Sequence, residues 1–168
     1  NTLISHNRFK GCMIHPQNYR AGSVTVTSVK DMSYELLIID HAITRAPKAS
    51  SWLILLRTNK LLTDYANAFA SRGAPANNQF LLTIHAAKGQ ECDYVVIVGC
   101  EQGILPIQSS LNKISEIEEE RRLLYVALTR ARESVMLIHQ RTRLMWGKER
   151  DMQPSQFLSE IFPNGDMK

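Results

Sequence analysis

The sequence predicts an α/β fold: a parallel sheet covered by helices on both faces. Short, continuously apolar runs such as Trp52-Leu53-Ile54-Leu55-Leu56 and Tyr94-Val95-Val96-Ile97-Val98 are the first sign. A strand buried on both faces reads as unbroken apolar sequence, whereas a half-exposed strand alternates. The second sign is that stretches with helical spacing separate these runs, and β–α alternation is what parallel pairing requires. Length is the third. At 168 residues the chain is one domain, large enough to bury roughly two-thirds of its unfolded surface without a disulfide or metal.

Taken in order, residues 1–22 are polar, carry Gly11, Pro16 and Gly22, and hold no period; they read as a leader or a truncated end. The domain is expected over 23–163, with 164–168 as a tail. Val24-Thr25-Val26-Thr27-Ser28-Val29 alternates and is β-branched, which makes it a strand. Met32, Leu36, Ile39, Ile43 and Ala46 recur at helical spacing until Pro47. That spacing assigns Leu37-Ile38-Ile39-Asp40 to a helix rather than to a strand ending in a metal-binding Asp. After the strand at Trp52, Leu61, Leu62, Tyr65, Ala66 and Phe69 mark a helix that Gly73 and Pro75 end. Phe80–Ile84 and Tyr94–Gly99 follow as strands, and 101–115 as a loop around Gly103 and Pro106. A long helix is expected over 116–131, a last strand over Ser134–Gln140, and a terminal helix over Pro154–Ile161 with proline in its first turn.

Composition narrows the class. An apolar share of 44% and a charged share of 21% are those of a soluble globular protein. A net charge of +4 is compatible with a nucleic-acid partner without requiring one. Cys12, Cys92 and Cys100 are odd in number and lack a framework spacing, which points to free thiols in a reducing, cytoplasmic setting. No apolar stretch approaches the ~18 residues needed to span a bilayer, so no membrane partner is expected. The chain opens on Asn1 rather than Met, as a fragment or processed chain does.

Three stretches carry chemistry. In Thr83-Ile84-His85-Ala86-Ala87-Lys88-Gly89-Gln90-Glu91 a buried strand gives way to small residues, a glycine, an imidazole and a cation. Such a turn can bring backbone N–H groups and side chains against phosphates; a polar loop with a snorkelling lysine is the plainer alternative. In Glu118-Glu119-Glu120-Arg121-Arg122-Leu123-Leu124-Tyr125-Val126-Ala127-Leu128-Thr129-Arg130-Ala131, the carboxylates suit the positive end of a helix and Arg121 and Arg122 can pair back to them. Arg130 at the helix's carboxyl end is either a dipole-complementing cation or a projecting functional group. Leu56-Arg57-Thr58-Asn59 ends a buried strand at a sheet rim, where Thr58 or Asn59 can serve as a plain N-cap. His6, Cys12 and His15 lack a fourth ligand and zinc spacing, so no metal site is expected. Ligands of parallel sheets sit beyond the carboxyl ends of the strands, and the Thr83 stretch is expected there.

The first two stretches together resemble motifs V and VI of the UvrD/Rep/PcrA-type superfamily 1 DNA helicases. Around them, Glu101-Gln102-Gly103-Ile104-Leu105-Pro106 resembles the family's turn between those motifs, and Gln153-Pro154-Ser155-Gln156-Phe157-Leu158 its closing signature, with glutamines in place of two arginines. The resemblance runs from about Trp52 to Phe162 and implies a RecA-like (P-loop NTPase-type) domain, the second of the two motor domains. No GxxxxGK[ST] phosphate loop occurs in the sequence. The resemblance therefore implies that ATP with Mg²⁺ is held mainly by an N-terminal RecA-like domain that is the physical partner of this one. It further implies that Arg130 is the arginine finger toward ATP, that Glu91 and Gly89 belong to the nucleotide side, and that Arg57, Asn59, Thr83, His85 and Lys88 line a track for single-stranded DNA. Gln90 and Cys92 depart from the family's Leu and Phe beside Glu91. Asn18-Tyr19-Arg20 echoes motif IV, but a strand rather than a helix follows, so Arg20 is given no role. Only residues 60–79 lie where UvrD and Rep carry a large helical insertion, as in helicase IV-like members. A non-enzymatic helicase-like interaction module is the competing reading.

Overall fold

The computed structural model describes residues 22–72 and 81–163. Expectations for Arg20, the leader, Gly73, Pro75, Phe80 and the tail fall outside them. Strand β1 (Ser23–Val29) leads through α1 (Met32–Arg45) to β2 (Trp52–Leu56), α2 (Asn59–Ser71), β3 (Leu81–Thr83) and β4 (Cys92–Ile97). A 3₁₀ turn at Gln108–Ser110 precedes α3 (Ile114–Leu128) and β5 (Ala131–Gln140). A hairpin of β6 (Thr142–Met145) and β7 (Lys148–Asp151) then leads to α4 (Gln156–Ile161). The five-stranded sheet has the order β1-β5-β4-β2-β3, and every neighbouring pair is parallel. The predicted α/β class is the observed one.

Local chemistry explains the starts of the helices. Asp31 Oδ1 accepts from the N–H groups of Ser33 (2.9 Å) and Tyr34 (3.3 Å), so the 37–40 stretch is helical as its spacing requires. Thr58 Oγ1 accepts from Leu61 N at 3.3 Å and starts α2. The two faces of the sheet then bury separate cores. Ile54, Leu56, Val96 and Ile138 pack with Leu36, Ile39, Tyr65 and Phe69 of α1 and α2. Leu53, Leu55, Val95, Ile97 and Leu137 pack with Leu124 and Ala127 of α3 and Phe157 and Leu158 of α4. Alternate residues of one strand thus serve opposite faces, the side-chain period of two at work.

Several boundaries differ from expectation. Helix α3 begins at Ile114 and ends at Leu128, with Thr129 as its C-cap. Glu116 occupies the first turn and Glu118–Glu120 the second, so the helix dipole does not account for the three carboxylates as the sequence suggested. Ion pairs do: Arg121 bonds Glu118 as well as Glu160, Arg122 bonds Glu119, and Arg57 bonds Glu120. Strand β5 starts three residues earlier than its apolar pattern, because Ala131 pairs with Cys92 across the sheet. Helix α4 starts at Gln156, capped by Ser155 Oγ to Phe157 N at 3.2 Å. Pro154 sits outside the helix, bridged to Glu101.

Candidate functional site

The segment between β3 and β4 determines where the functional groups lie. Thr83 is level with Leu56 at the carboxyl end of the sheet, whereas Cys92 pairs with Ala131 at the amino end. Residues 84–91 therefore run the length of the sheet, roughly 15 Å at about 3.3 Å per strand residue. Ile84 and Ala87, both 0% exposed, pin the segment to the core. Gln90 N donates to Ala87 O at 3.0 Å, and Gly89 takes φ +87°, a backbone conformation that favours glycine. The expectation that the whole stretch lies at the carboxyl edge is corrected: it joins the two edges.

At the carboxyl edge, Thr83 Oγ1 accepts from Ala86 N at 3.2 Å, and His85 is exposed. Asn59, the first residue of α2, is exposed beside them on the neighbouring strand end. Arg57 is also at this rim, but its guanidinium is held by Glu120 of α3. Nε reaches both carboxylate oxygens (3.1 and 2.9 Å) and Nη2 reaches Oε1 at 2.5 Å. Glu120 Oε2 also accepts from Ile107 N at 3.3 Å. Among the acid run, Glu120 is thus the residue that ties α3 to the rim, a role its sequence position did not signal.

At the amino edge, Arg130 follows Thr129, the C-cap of α3, and Glu91 directly precedes β4. Their chains meet where Cys92 N donates to Arg130 O at 3.0 Å. The Arg130 side chain folds back onto the helix end: Nε donates to Val126 O (3.0 Å), Nη1 to Gln90 O (3.3 Å) and Nη2 to Thr129 Oγ1 (3.2 Å). Glu91 is exposed and pairs with Arg132 at 3.5 Å. Lys88 and Gly89 are exposed in the connecting turn. Of the predicted residues, then, Arg57, Asn59, Thr83 and His85 gather at one edge and Glu91 and Arg130 at the other.

Sequence reasoning missed the hairpin and what lies under it. Trp146 and Gly147 form its two-residue tip, both with positive φ (51° and 75°). A type I′ turn of this kind normally selects Asn, Asp or Gly, so the signal was Gly147 alone. The indole is 80% exposed, with the Arg150 guanidinium 5.2 Å from its ring centre. A bulky residue held in this region costs about 1–3 kcal/mol, and such residues cluster at functional sites. Beside the hairpin opens a cleft of about 990 Å³ lined by Tyr65, Gln140, Arg143 and Trp146 among others. Its floor is a buried polar cluster. Gln140 Nε2 donates to Glu35 Oε2 at 2.5 Å, Tyr65 donates to the same oxygen, and Glu101 binds Gln140 N at 2.6 Å and Arg143 Nη2 at 2.9 Å. Burial raises the Glu35 carboxyl to about 7, against the opposing bonds from Tyr65 and Gln140 and the Arg143 charge.

Among the described residues, no helix is long and apolar enough to cross a membrane. No group of three or more His, Cys, Asp or Glu among them is placed to hold a metal ion.

Residues 76–142 match the UvrD-like helicase C-terminal domain. The chain is 47% identical over 81 residues to DNA helicase II of Escherichia coli (strain K12), an alignment spanning 48% of this chain and 11% of that protein. It is 37% identical over 108 residues to the ATP-dependent DNA helicase PcrA of Leuconostoc citreum, spanning 64% of this chain and 14% of that protein. With the ATP-dependent DNA helicase Rep of Buchnera aphidicola subsp. Schizaphis graminum, identity is 43% over 94 residues, spanning 56% and 14%. The alignments thus cover a small part of these relatives' length. In fold, the chain resembles the crystal structure of the C-terminal domain of a possible DNA helicase from Lactobacillus plantarum WCFS1. The TM-score is 0.56 at 17% identity, covering 84% of this chain and 81% of that one. In sequence, residues 76–142 are similar to the UvrD-like helicase C-terminal domain, and in fold the chain resembles the C-terminal domain of a possible helicase.

Proposed function

We propose that this chain is the second motor domain of an ATP-dependent DNA helicase, contributing half of a nucleotide site at one sheet edge and part of a single-stranded DNA track at the other. The observation that supports the reading is the β4–β5 pairing, which brings the backbones of Glu91 and Arg130 to the same sheet edge. A carboxylate that can accept from ribose hydroxyls and a guanidinium that can face phosphoryl oxygens fit a nucleotide approaching this edge. ATP with Mg²⁺ bound by an N-terminal RecA-like partner supplies the phosphoryl group and the metal. Arg130 swings from its helix-end acceptors to stabilise the charge spread over the transferring oxygens. The turn at Lys88 and Gly89 carries movement between this edge and the DNA edge.

At the DNA edge, Asn59, Thr83 and His85 offer hydrogen bonds to a strand laid across the rim, and Lys88 adds a cation from the connecting turn. Arg57 spends Nε and Nη2 on Glu120, which leaves Nη1 for a DNA phosphate. The Trp146 tip provides a stacking face for a base, sequence-tolerant because every base has a π-face. Trp146→Ala is expected to weaken single-stranded DNA binding about tenfold, measured by fluorescence anisotropy. Affinity equal to the parent protein's would remove the hairpin from the track.

The isolated chain is expected to bind ATP poorly and to hydrolyse none, because the phosphate-binding half is supplied by the partner domain. Release of phosphate from ATP by this chain alone, stimulated by DNA, would overturn the half-site reading.

A further inference from the structure

Arg132 is a further cation at the edge that carries Glu91 and Arg130. Where β4 meets β5, Cys92 pairs with Ala131 and Tyr94 with Ser134, so Asp93 alone stands opposite Arg132 and Glu133. That extra residue is a bulge in β5, and bulges re-aim side chains beside functional sites. Here the re-aimed side chain is Arg132. Its Nε lies 3.5 Å from Glu91 Oε2 and its Nη1 4.0 Å from Asp93 Oδ1. Asp93 is itself fixed: its Oδ2 accepts from both the backbone N and the Oγ of Ser51, each at 2.8 Å. A line of contacts runs from Ser51 through Asp93 and Arg132 to Glu91. Glu91 sits on an exposed turn end, directly after Gly89 and Gln90, where its backbone alone does not determine its pose.

We propose that Arg132 is a positioning residue that holds the Glu91 carboxylate, through the anchored Asp93, in the orientation that recognises the ribose hydroxyls of the nucleotide. The inference rests on the proposed nucleotide role of Glu91 and adds to it the residue that sets the sugar preference. A flexible carboxylate must be ordered on binding, so fixing it beforehand strengthens the sugar contact. The planar guanidinium suits the task, since it can address two carboxylates from one fork.

The test compares ATP with 2′,3′-dideoxy-ATP, which lacks both hydroxyls, in DNA-stimulated turnover by the full-length protein. Arg132→Ala is expected to raise the KM for ATP about two- to fivefold, the range an exposed ion pair supports, with turnover at saturation within about twofold. The preference for ATP over the dideoxy analogue is expected to fall by the same factor. Arg132→Lys should lie between the parent and the alanine variant. A KM raised equally for both nucleotides would mean that Arg132 meets the phosphates instead, and would overturn the proposal. So would an unchanged preference in Arg132→Ala where Glu91→Ala loses it. If Glu91→Ala itself keeps the preference, the nucleotide role of Glu91 fails and the inference falls with it, an outcome told apart by that variant alone.

Discussion

Replacing Arg130 by alanine in the full-length protein is expected to lower ATP turnover by about 10³-fold or more while nucleotide affinity changes far less. The expectation follows from what Arg130 does when it is not facing a nucleotide. Its three bonds to Val126 O, Gln90 O and Thr129 Oγ1 hold the guanidinium at the end of α3, against the residue that precedes Glu91. These acceptors are neutral, so exchanging them for a phosphoryl group replaces charge–dipole bonds with a bond between opposite charges. The gain grows as charge develops on the transferring oxygens, so the effect belongs to turnover rather than to binding. Removing the side chain also removes a cation from the helix end, a contribution of about 0.3–1 kcal/mol that could weaken the fold slightly. Arg130→Lys separates the two effects. It keeps a cation near α3 but lacks the planar fork, so it is expected to restore stability without restoring turnover. Steady-state hydrolysis with saturating DNA checks both variants, and parent-like turnover in either would remove Arg130 from the chemistry.

The second large effect concerns stability and pH. Glu35 is 0% exposed, and Glu35 and Glu101 share the single cation Arg143 within one buried cluster. Burial disfavours the ionised carboxylate, and the Glu101 charge adds to this against the bonds from Tyr65 and Gln140 and the Arg143 charge, so Glu35 holds its proton to about pH 7 rather than 4.5. The sign follows from linkage. Between those values the folded state binds a proton that the unfolded state has released, so the stability contributed below pH 4.5 is lost as pH rises toward 7. The span, 7 − 4.5 = 2.5, corresponds to an effect on the order of 3 kcal/mol at about 1.4 kcal/mol per pH unit. Denaturant unfolding at pH 5 and pH 8, compared between the parent chain and Glu35→Gln, isolates the group. Glutamine keeps the shape without the titration, so the variant is expected to lose this share of the pH dependence. Equal slopes in the two proteins would show that the cluster is not held together by that proton.

Much of the fold was legible in the sequence, for reasons that differ between elements. β2 and β4 are buried on both faces, and nothing but unbroken apolar residues satisfies both cores. α1 and α2 were legible because each buries a single stripe. The start of β5 was hidden, since Ala131, Arg132 and Glu133 are polar or small and join the sheet only because β4 offers Cys92 as a partner. The β6–β7 hairpin was hidden too, because Trp146 occupies a turn position that local preference assigns to other residues. The resemblance singled out Arg130 and Glu91 by type and spacing, but not that they share an edge.

By itself the sequence determined the fold class, a resemblance to helicase motifs and the residue types available for chemistry, because burial periods and a dense local motif are one-dimensional patterns. Only the tertiary structure decided which of those residues meet. It placed Arg57 against Glu120, brought Glu91 and Arg130 to the same sheet edge through strands whose starts are thirty-nine positions apart (131 − 92 = 39), and aimed Arg132 by a bulge. The physical reason is that strand register and ion pairing depend on partners distant in the chain, whose identity local sequence does not encode.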